Sequence, residues 1–411
     1  MRIAVLTRQI GNYHHARFTA LAEASLDFAV VSLANEGNFA GFVSNAATDY
    51  EVYRLYDSKA AYTDAVREGR AARDVAMALD AIGADVVALA GWACAESFAG
   101  LRWAYDNGAS IVMMSDSQAE DATRSSWREA IKRRIISYCD AGFVAGEAHG
   151  RYLASLGMDS ERITMGYDVV DNAHFATGAQ RAREATGKSE LRASLGLPAR
   201  PYFLASGRFI AKKNLPLLIE TYAEIAANSG DCPDLCLLGD GEQRDLLEAL
   251  IQKRVLVEKV HLLGLRPYDD LPAIYGLAEA FIHPALHEQW GLVVSEAGAA
   301  GLPLAVSRTA GAAQLVEEGE NGILFDPADA DDLKRALSQL AQMNPDERTK
   351  WGQRSAEIMS NWGPDRYVEG LTRAAELASK QVGTRGRPKA ISWLDTVLIS
   401  RLSRKIIMDV A

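Results

Sequence analysis

The chain has 411 residues, 48% of them hydrophobic and 24% charged, which is enough to bury about two or three cores of ordinary domain size. Its formal net charge of −10 excludes the domain-wide basic field that holds nucleic acid by counterion release. The apolar run Ile3-Ala4-Val5-Leu6 is too short for a secretory leader, and no later stretch reaches the roughly 18 uninterrupted apolar residues of a spanning helix, so a cytoplasmic protein is expected. Cys94, Cys139, Cys232 and Cys236 lack the paired spacing of a zinc site and read as reduced thiols, so no metal site is expected.

In chain order, the short β-branched or apolar runs 3–6, 28–32, 50–55, 86–89, 111–114, 143–145 and 163–165 read as strands separated by helical segments. Such alternation implies a parallel sheet covered by helices. The pattern breaks near Asp171; a charged, Ala-rich stretch follows, with one modest helix over 189–195 before Gly196 and Pro198. A second alternating series then runs through 202–205, 235–238, 259–263, 280–282, 304–306 and 323–325, a second doubly wound domain. This divides the chain into an N-terminal domain over 1–175, a linker over 176–198 and a C-terminal domain over 199–364. Ligands of open α/β sheets bind beyond the carboxyl ends of the strands, so the motifs are expected there, facing a central cleft.

Two stretches of the second domain carry the chemistry. In His287-Glu288-Gln289-Trp290-Gly291-Leu292-Val293-Val294-Ser295-Glu296 two glutamates stand with seven residues between them. Pro284 and Gly291 bracket a loop, so Glu288 lies in the turn and Glu296 on the second turn of a helix that begins near Leu292. The helix start offers unpaired N–H groups to a phosphate, and Gly291 lets the backbone approach closely. Upstream, Ser206-Gly207-Arg208-Phe209-Ile210-Ala211-Lys212-Lys213-Asn214 follows a strand. There Arg208 presents a planar fork and Lys213 a point charge suited to a departing diphosphate. Gly239 and Gly241 end the next strand as a G-x-G turn, and Arg266 follows the strand after that.

These stretches resemble the glycosyltransferase group 1 (family 4) proteins, with their E-x7-E motif at Glu288 and Glu296 and their G-R-x-x-x-x-K-N signature from Gly207 to Asn214. The likeness continues through Gly301, Pro303, Ala310-Gly311, Leu315-Val316, Asn321-Gly322 and Asp326-Pro327. The resemblance implies a GT-B fold, two Rossmann-like doubly wound parallel-sheet domains facing a central cleft. It implies a retaining, metal-independent transferase that moves a sugar from a nucleotide-sugar co-substrate to a glycan or lipid-linked acceptor, with no cofactor. By the same resemblance Arg208, Lys213 and Glu288 are the catalytic set, Glu288 binding donor-sugar hydroxyls and Glu296 the ribose. Donor binding extends to Gly11, Gly207, Gly239, Gly241, Arg266, Gln289, Trp290, Gly291 and Leu292. Two other readings share the architecture: a sugar-nucleotide epimerase, which does not require this glutamate spacing, and a non-catalytic nucleotide-sugar-binding subunit.

The first domain departs from the family. Where many members carry a Gly-Gly pair after the first strand, this chain reads Thr7-Arg8-Gln9-Ile10-Gly11-Asn12-Tyr13-His14-His15-Ala16-Arg17, with only Gly11 available for close approach. His14, His15 and Arg17 are acceptor-side candidates. So is Asp116, which stands where members often place a His-Asp pair. Asp168 and Asn172 are expected to shape the turn before the hinge. A helix over 123–138 carries Trp127, Ile131, Ile135 and Tyr138 on one stripe beside Arg124, Arg128 and Lys132, and a terminal segment over 391–408 is similarly amphipathic. Either they meet an anionic membrane surface, or the first packs on its own sheet and the C-terminal helices from about 365–411 pack back on the N-terminal domain.

Overall fold

The computed structural model describes residues 1–34, 48–92, 94–121, 124–228 and 231–384. The chain divides into two units, one made of Met1–Val169 with Pro364–Ala411 and the other of Val170–Gly363.

The first unit runs β1 (Ile3–Thr7), α1 (Asn12–Glu23), β2 (Phe28–Ala34), β3 (Glu51–Tyr56), α2 (Lys59–Arg67), α3 (Ala71–Ile82), β4 (Val86–Ala90), α4 (Ala95–Asn107), β5 (Ser110–Ser115), α5 (Ser126–Ile136), β6 (Ala141–Val144), α6 (Glu147–Ser155) and β7 (Ile163–Met165). Its strands form one parallel sheet in the order β3-β2-β1-β4-β5-β6-β7. Helices cover both faces, which is why β1, β2 and β5 are mostly apolar with every residue buried. The edge strand β3 instead exposes Glu51 and Arg54.

The second unit runs α7 (Asn172–Glu184), α8 (Lys188–Ser194), β8 (Tyr202–Ser206), α9 (Leu215–Asn228), β9 (Asp234–Leu238), α10 (Arg244–Lys253), β10 (Val260–Gly264), α11 (Leu271–Gly276), β11 (Ala280–His283), α12 (Leu292–Ala299), β12 (Leu304–Ser307), β13 (Gly322–Phe325), α13 (Ala330–Gln342) and α14 (Pro345–Ser360). Its six strands are also parallel, in the order β10-β9-β8-β11-β12-β13. Phe203, Leu218, Tyr222, Leu237, Ile282 and Phe325 anchor its core.

The segment expected as a linker folds onto the second unit. Asp171 caps α7, accepting the His174 N–H at 2.9 Å, and Phe175, Ala179 and Ala182 make one buried face at helical spacing. Gly178 lies against Pro272 and Gly276 against Ala179, so small residues let α7 and α11 approach closely. The polar residues around that narrow face hid it from the hydrophobic pattern.

After α14 the chain re-enters the first unit as α15 (Pro364–Thr384), where Tyr367, Leu371, Ala374, Ala375 and Ala378 are buried. Thr164 Oγ1 donates to the Gly370 carbonyl at 2.9 Å, and the Phe143 and Tyr367 rings meet at 5.1 Å. The amphipathic segment over 391–408 lies outside the described residues.

Arg17, expected on the acceptor side, is instead a core clamp, only 3% exposed. Its Nη2 lies 3.2 Å from Asp168 Oδ1, and Nε and Nη2 both donate to the Val169 carbonyl, at 3.2 and 3.1 Å. The guanidinium carbon sits 5.3 Å from the Tyr167 ring centre and 5.8 Å from that of Tyr367. One arginine thus joins α1, the end of the first pass through this unit and the returning α15. Arg17→Ala leaves Asp168 buried without its cation and is expected to destabilise the first unit by about 3–5 kcal/mol. Urea unfolding checks this; a loss below about 1 kcal/mol contradicts the clamp.

Candidate functional site

At the carboxyl end of β8 the chain passes Gly207 and Arg208 into a 3₁₀ turn over Ala211–Lys213. Asn214 closes that turn at φ +56°, a left-handed conformation, with its Nδ2 donating to the Pro327 carbonyl at 2.9 Å. At the carboxyl end of the neighbouring β11, His283 and Pro284 begin the loop that reaches Gly291. Hydrogen bonds to its main chain hold this loop in place. Leu286 N–H donates to the Lys212 carbonyl at 2.8 Å, Gly311 N–H to the Glu288 carbonyl at 3.2 Å, and Thr309 Oγ1 to the Leu286 carbonyl at 2.8 Å.

This framework brings the two motifs into direct contact. Lys213 Nζ donates to Glu288 Oε2 in a direct ion pair. Lys212 Nζ lies 3.7 Å from Glu288 Oε1, and His283 Nε2 lies 3.5 Å from Glu288 Oε2. Glu288 is only 9% exposed. Burial alone pushes its carboxyl up, but His283 and the Lys213 charge outweigh burial and hold it well below the usual carboxylate range. Burial pulls both Lys213 and His283 down, which leaves the imidazole uncharged near neutrality. The 3.5 Å separation makes the His283 contact an electrostatic one, so the lysine is the stronger partner.

Gly239 adopts φ +131°, and a Cβ there would fall 2.1 Å from the Gly207 carbonyl oxygen, so only glycine allows the turns after β8 and β9 to meet. Gly291 caps α12 at φ +99°, where a Cβ would meet Glu288 Cγ at 3.3 Å. Gly241 lies against the Phe209 backbone. Arg208 is exposed at the rim of a small hollow lined by Ser206, Gly207, Lys213, His283 and Pro284. Lys213, Glu288, Arg208 and the three strand-end glycines therefore gather at the ends of β8, β9 and β11.

Other candidates are placed differently. Glu296 is fully buried on α12, where it accepts the Tyr275 hydroxyl at 2.6 Å. Trp290 is also buried, its ring stacked on Trp362 at 5.3 Å, so it anchors the loop from beneath. Gln289 and Leu292 are half-buried. The Arg266 guanidinium lies by Gly196, where an added Cβ would come within 3.0 Å of Nη2. Sequence reasoning missed His283 and Tyr275. The only signal was position: His283 ends a strand before Pro284, and Tyr275 lies on the short helix before β11.

In the first unit, Gly11 begins α1, and its N–H donates to His14 Nδ1 at 3.5 Å. Gly146 begins α6 with the same device, its N–H donating to His149 Nδ1 at 3.2 Å. Each histidine thus caps the helix it stands on. His14, half-buried, is pushed down to about 3 by burial and by Arg17, so it is neutral in ordinary buffers. His15 is oriented by Tyr50, its Nδ1 lying 3.2 Å from the Tyr50 hydroxyl.

Asp116 follows β5, where burial and the neighbouring Asp168 carboxylate push it up to about 6. Its folded value is above the ordinary 3.8, so ionisation costs stability, increasingly as pH rises through about 6. Asp116→Asn is therefore expected to raise the melting temperature more at about pH 8 than at about pH 4.5. An equal or larger gain at the lower pH contradicts the assignment.

Among the described residues no three His, Cys, Asp or Glu side chains converge as a metal-binding group. Residues 187–358 match the family model of glycosyl transferases group 1. Among curated proteins, the chain is 30% identical over 171 residues to alpha-D-kanosaminyltransferase of Streptomyces kanamyceticus, covering 42% of this chain and 44% of that protein. It is 32% identical over 169 residues to the lipopolysaccharide core biosynthesis glycosyltransferase LpsE of Rhizobium meliloti, covering 41% and 47%. The chain thus spans less than half the length of these relatives. Among solved structures, Anabaena HepE in complex with UDP and glucose superposes with a TM-score of 0.68 at 17% identity, over 90% of this chain and 98% of that one. The paired doubly wound domains are those of the GT-B fold.

Proposed function

Residues 187–358 belong to the glycosyl transferases group 1 family, and from that premise we propose that the chain transfers a sugar from a nucleoside-diphosphate sugar to a glycan or lipid-linked acceptor in glycoconjugate synthesis. The single observation that carries this reading is the buried Lys213–Glu288 pair at the ends of β8 and β11. UDP in the HepE structure and lipopolysaccharide core synthesis by LpsE support the donor and acceptor classes.

In this mechanism Arg208 and Lys213 take the diphosphate. Lys213 has three N–H donors and spends one on Glu288, leaving two for phosphate oxygens. Glu288, held ionised, accepts hydroxyls of the donor sugar, and Lys213 keeps its carboxylate from drifting. As the glycosidic bond breaks, negative charge grows on the leaving phosphate, and the fixed cations stabilise it more than they stabilise the ground state. The departing phosphate oxygen takes the acceptor proton, so the new bond forms on the face the diphosphate leaves and configuration is retained. No metal or organic cofactor enters.

Lys213→Ala and Glu288→Ala are each expected to lower transfer by at least about a hundredfold, the scale of losing one preorganised charge contact, with the fold intact. Radiolabelled-donor assays on both variants, with and without EDTA, test this. Near-normal turnover in both refutes the assignment, and loss of wild-type activity in EDTA refutes metal independence.

The acceptor reading extends to a membrane surface. Trp127 is 53% exposed on α5 with the Arg128 guanidinium 5.5 Å from its ring centre, whereas Ile135 and Tyr138 are buried and Ile131 packs against the core. Lys132 and Arg124 are engaged by Glu129, Tyr152 and Asp121. The stripe thus splits, its end packed on the sheet and its start presenting an exposed aromatic beside a cation, as an interfacial helix does. No helix among the described residues is long and apolar enough to span a bilayer. Co-sedimentation with anionic but not neutral vesicles is expected, weakened in Trp127→Ala; absence from both pellets ends the membrane reading.

A further inference from the structure

Lys213 restrains Glu288 in the transfer, and a second group meets the same carboxylate. His283 closes β11 immediately before Pro284 and is 1% exposed. Its Nε2 lies 3.5 Å from Glu288 Oε2, the oxygen that Lys213 also takes, and finds no well-formed hydrogen bond among the described residues. A buried polar atom left in that state costs about 1–3 kcal/mol. Packing does not call for it, since Ala280, Phe281 and Ile282 before it are apolar and buried.

The ring is confined beside the carboxylate. A Cβ added to Gly291 would lie 3.3 Å from Glu288 Cγ and 3.5 Å from His283 Nε2, so the glycine leaves room for imidazole and carboxylate to stand together. His283 also lines the small hollow with Ser206, Gly207, Arg208 and Lys213, which puts it at the border of the site itself.

Burial, with the Lys213 charge behind it, pulls the imidazole down and leaves it neutral. A neutral ring has one N–H. Carried on Nε2, it aims a donor at the carboxylate; carried on Nδ1, it leaves a lone pair aimed there instead. The Glu288 charge therefore selects the Nε2–H tautomer. A neutral donor restrains Oε2 without placing a third positive charge beside Lys212 and Lys213.

We propose that His283 is a positioning residue of the transfer site: as the Nε2–H tautomer it holds the Glu288 carboxylate in place for the donor sugar, acting through Glu288 and not on the nucleotide. What Glu288 receives rests on the transferase reading; the orientation of the imidazole toward it does not.

The way the loss divides between binding and turnover tests this. In His283→Phe, which keeps a ring but removes the nitrogens, turnover of saturating UDP-glucose by the full chain is expected to fall at least about tenfold, while UDP, which carries no sugar, binds within about twofold of the wild type. Without the donor the Glu288 carboxyl rises toward its ordinary value, so the acid side of the pH–rate profile moves to higher pH. His283→Gln returns an amide N–H and is expected to recover most of the turnover. A residue that only packs would lose UDP affinity and turnover together and leave the acid side unmoved. That result, or near-normal turnover in His283→Phe, overturns the proposal. If His283→Phe fails to fold, or if the wild type leaves UDP-glucose intact, which counts against the transferase reading, the wild-type imidazole decides. In protein carrying ¹⁵N-labelled histidine, with the His283 signal identified by its loss in His283→Gln, a neutral ring protonated on Nε2 at about pH 7 sustains the proposal. A proton on Nδ1, or a charged ring, overturns it.

Discussion

Glu288 is a carboxylate held almost out of water, and ionised burial is tolerated only where positive or polar groups converge on it. Lys213, Lys212 and His283 do so from the ends of two neighbouring strands, which requires the turn after β8 and the loop after β11 to stay in register. The bond from Leu286 to the Lys212 carbonyl, the left-handed Asn214 and the close approach of Gly207 and Gly239 each serve that register. Several family signature residues are thus backbone geometry more than chemistry.

The same rule organises the first unit. Its central strands are buried on both faces and carry few polar side chains, so polar chemistry collects beyond their carboxyl ends. There the buried charges divide into two kinds. Arg17 is enclosed by Asp168, Val169 and two tyrosines, and it holds the unit together. Arg8 is oriented by a buried glutamate yet reaches solvent. The two stand nine positions apart in the sequence and look alike there; their surroundings separate them.

Much of the fold was legible because alternating apolar runs and helical segments are local signals: all thirteen strands among the described residues lie within two residues of their expected positions. The motifs and the loop that brackets Glu288 put Lys213 and Glu288 at strand ends, but not in contact; their direct ion pair came only with the fold. What escaped were contacts between residues far apart in the chain. Tyr275 and His283 carry no motif, and their proximity to Glu296 and Glu288 exists only once α11, β11 and α12 pack. The helix α7 was hidden because its apolar face is narrow and completed by Gly178 and Gly276.

By itself, then, the sequence determined two doubly wound parallel-sheet domains, the position of each strand, and a cluster of Arg208, Lys213, Glu288 and glycines at the strand ends. Periodicity and local spacing encode these directly. Tertiary structure alone decided which charged groups are consumed and which remain exposed. It placed Arg17 and Trp290 in the interior, made His14 a neutral helix cap and left Arg8 partly exposed after β1. The physical reason is burial: the ionisation and reach of a side chain depend on what surrounds it in three dimensions, which composition and spacing along one chain do not specify.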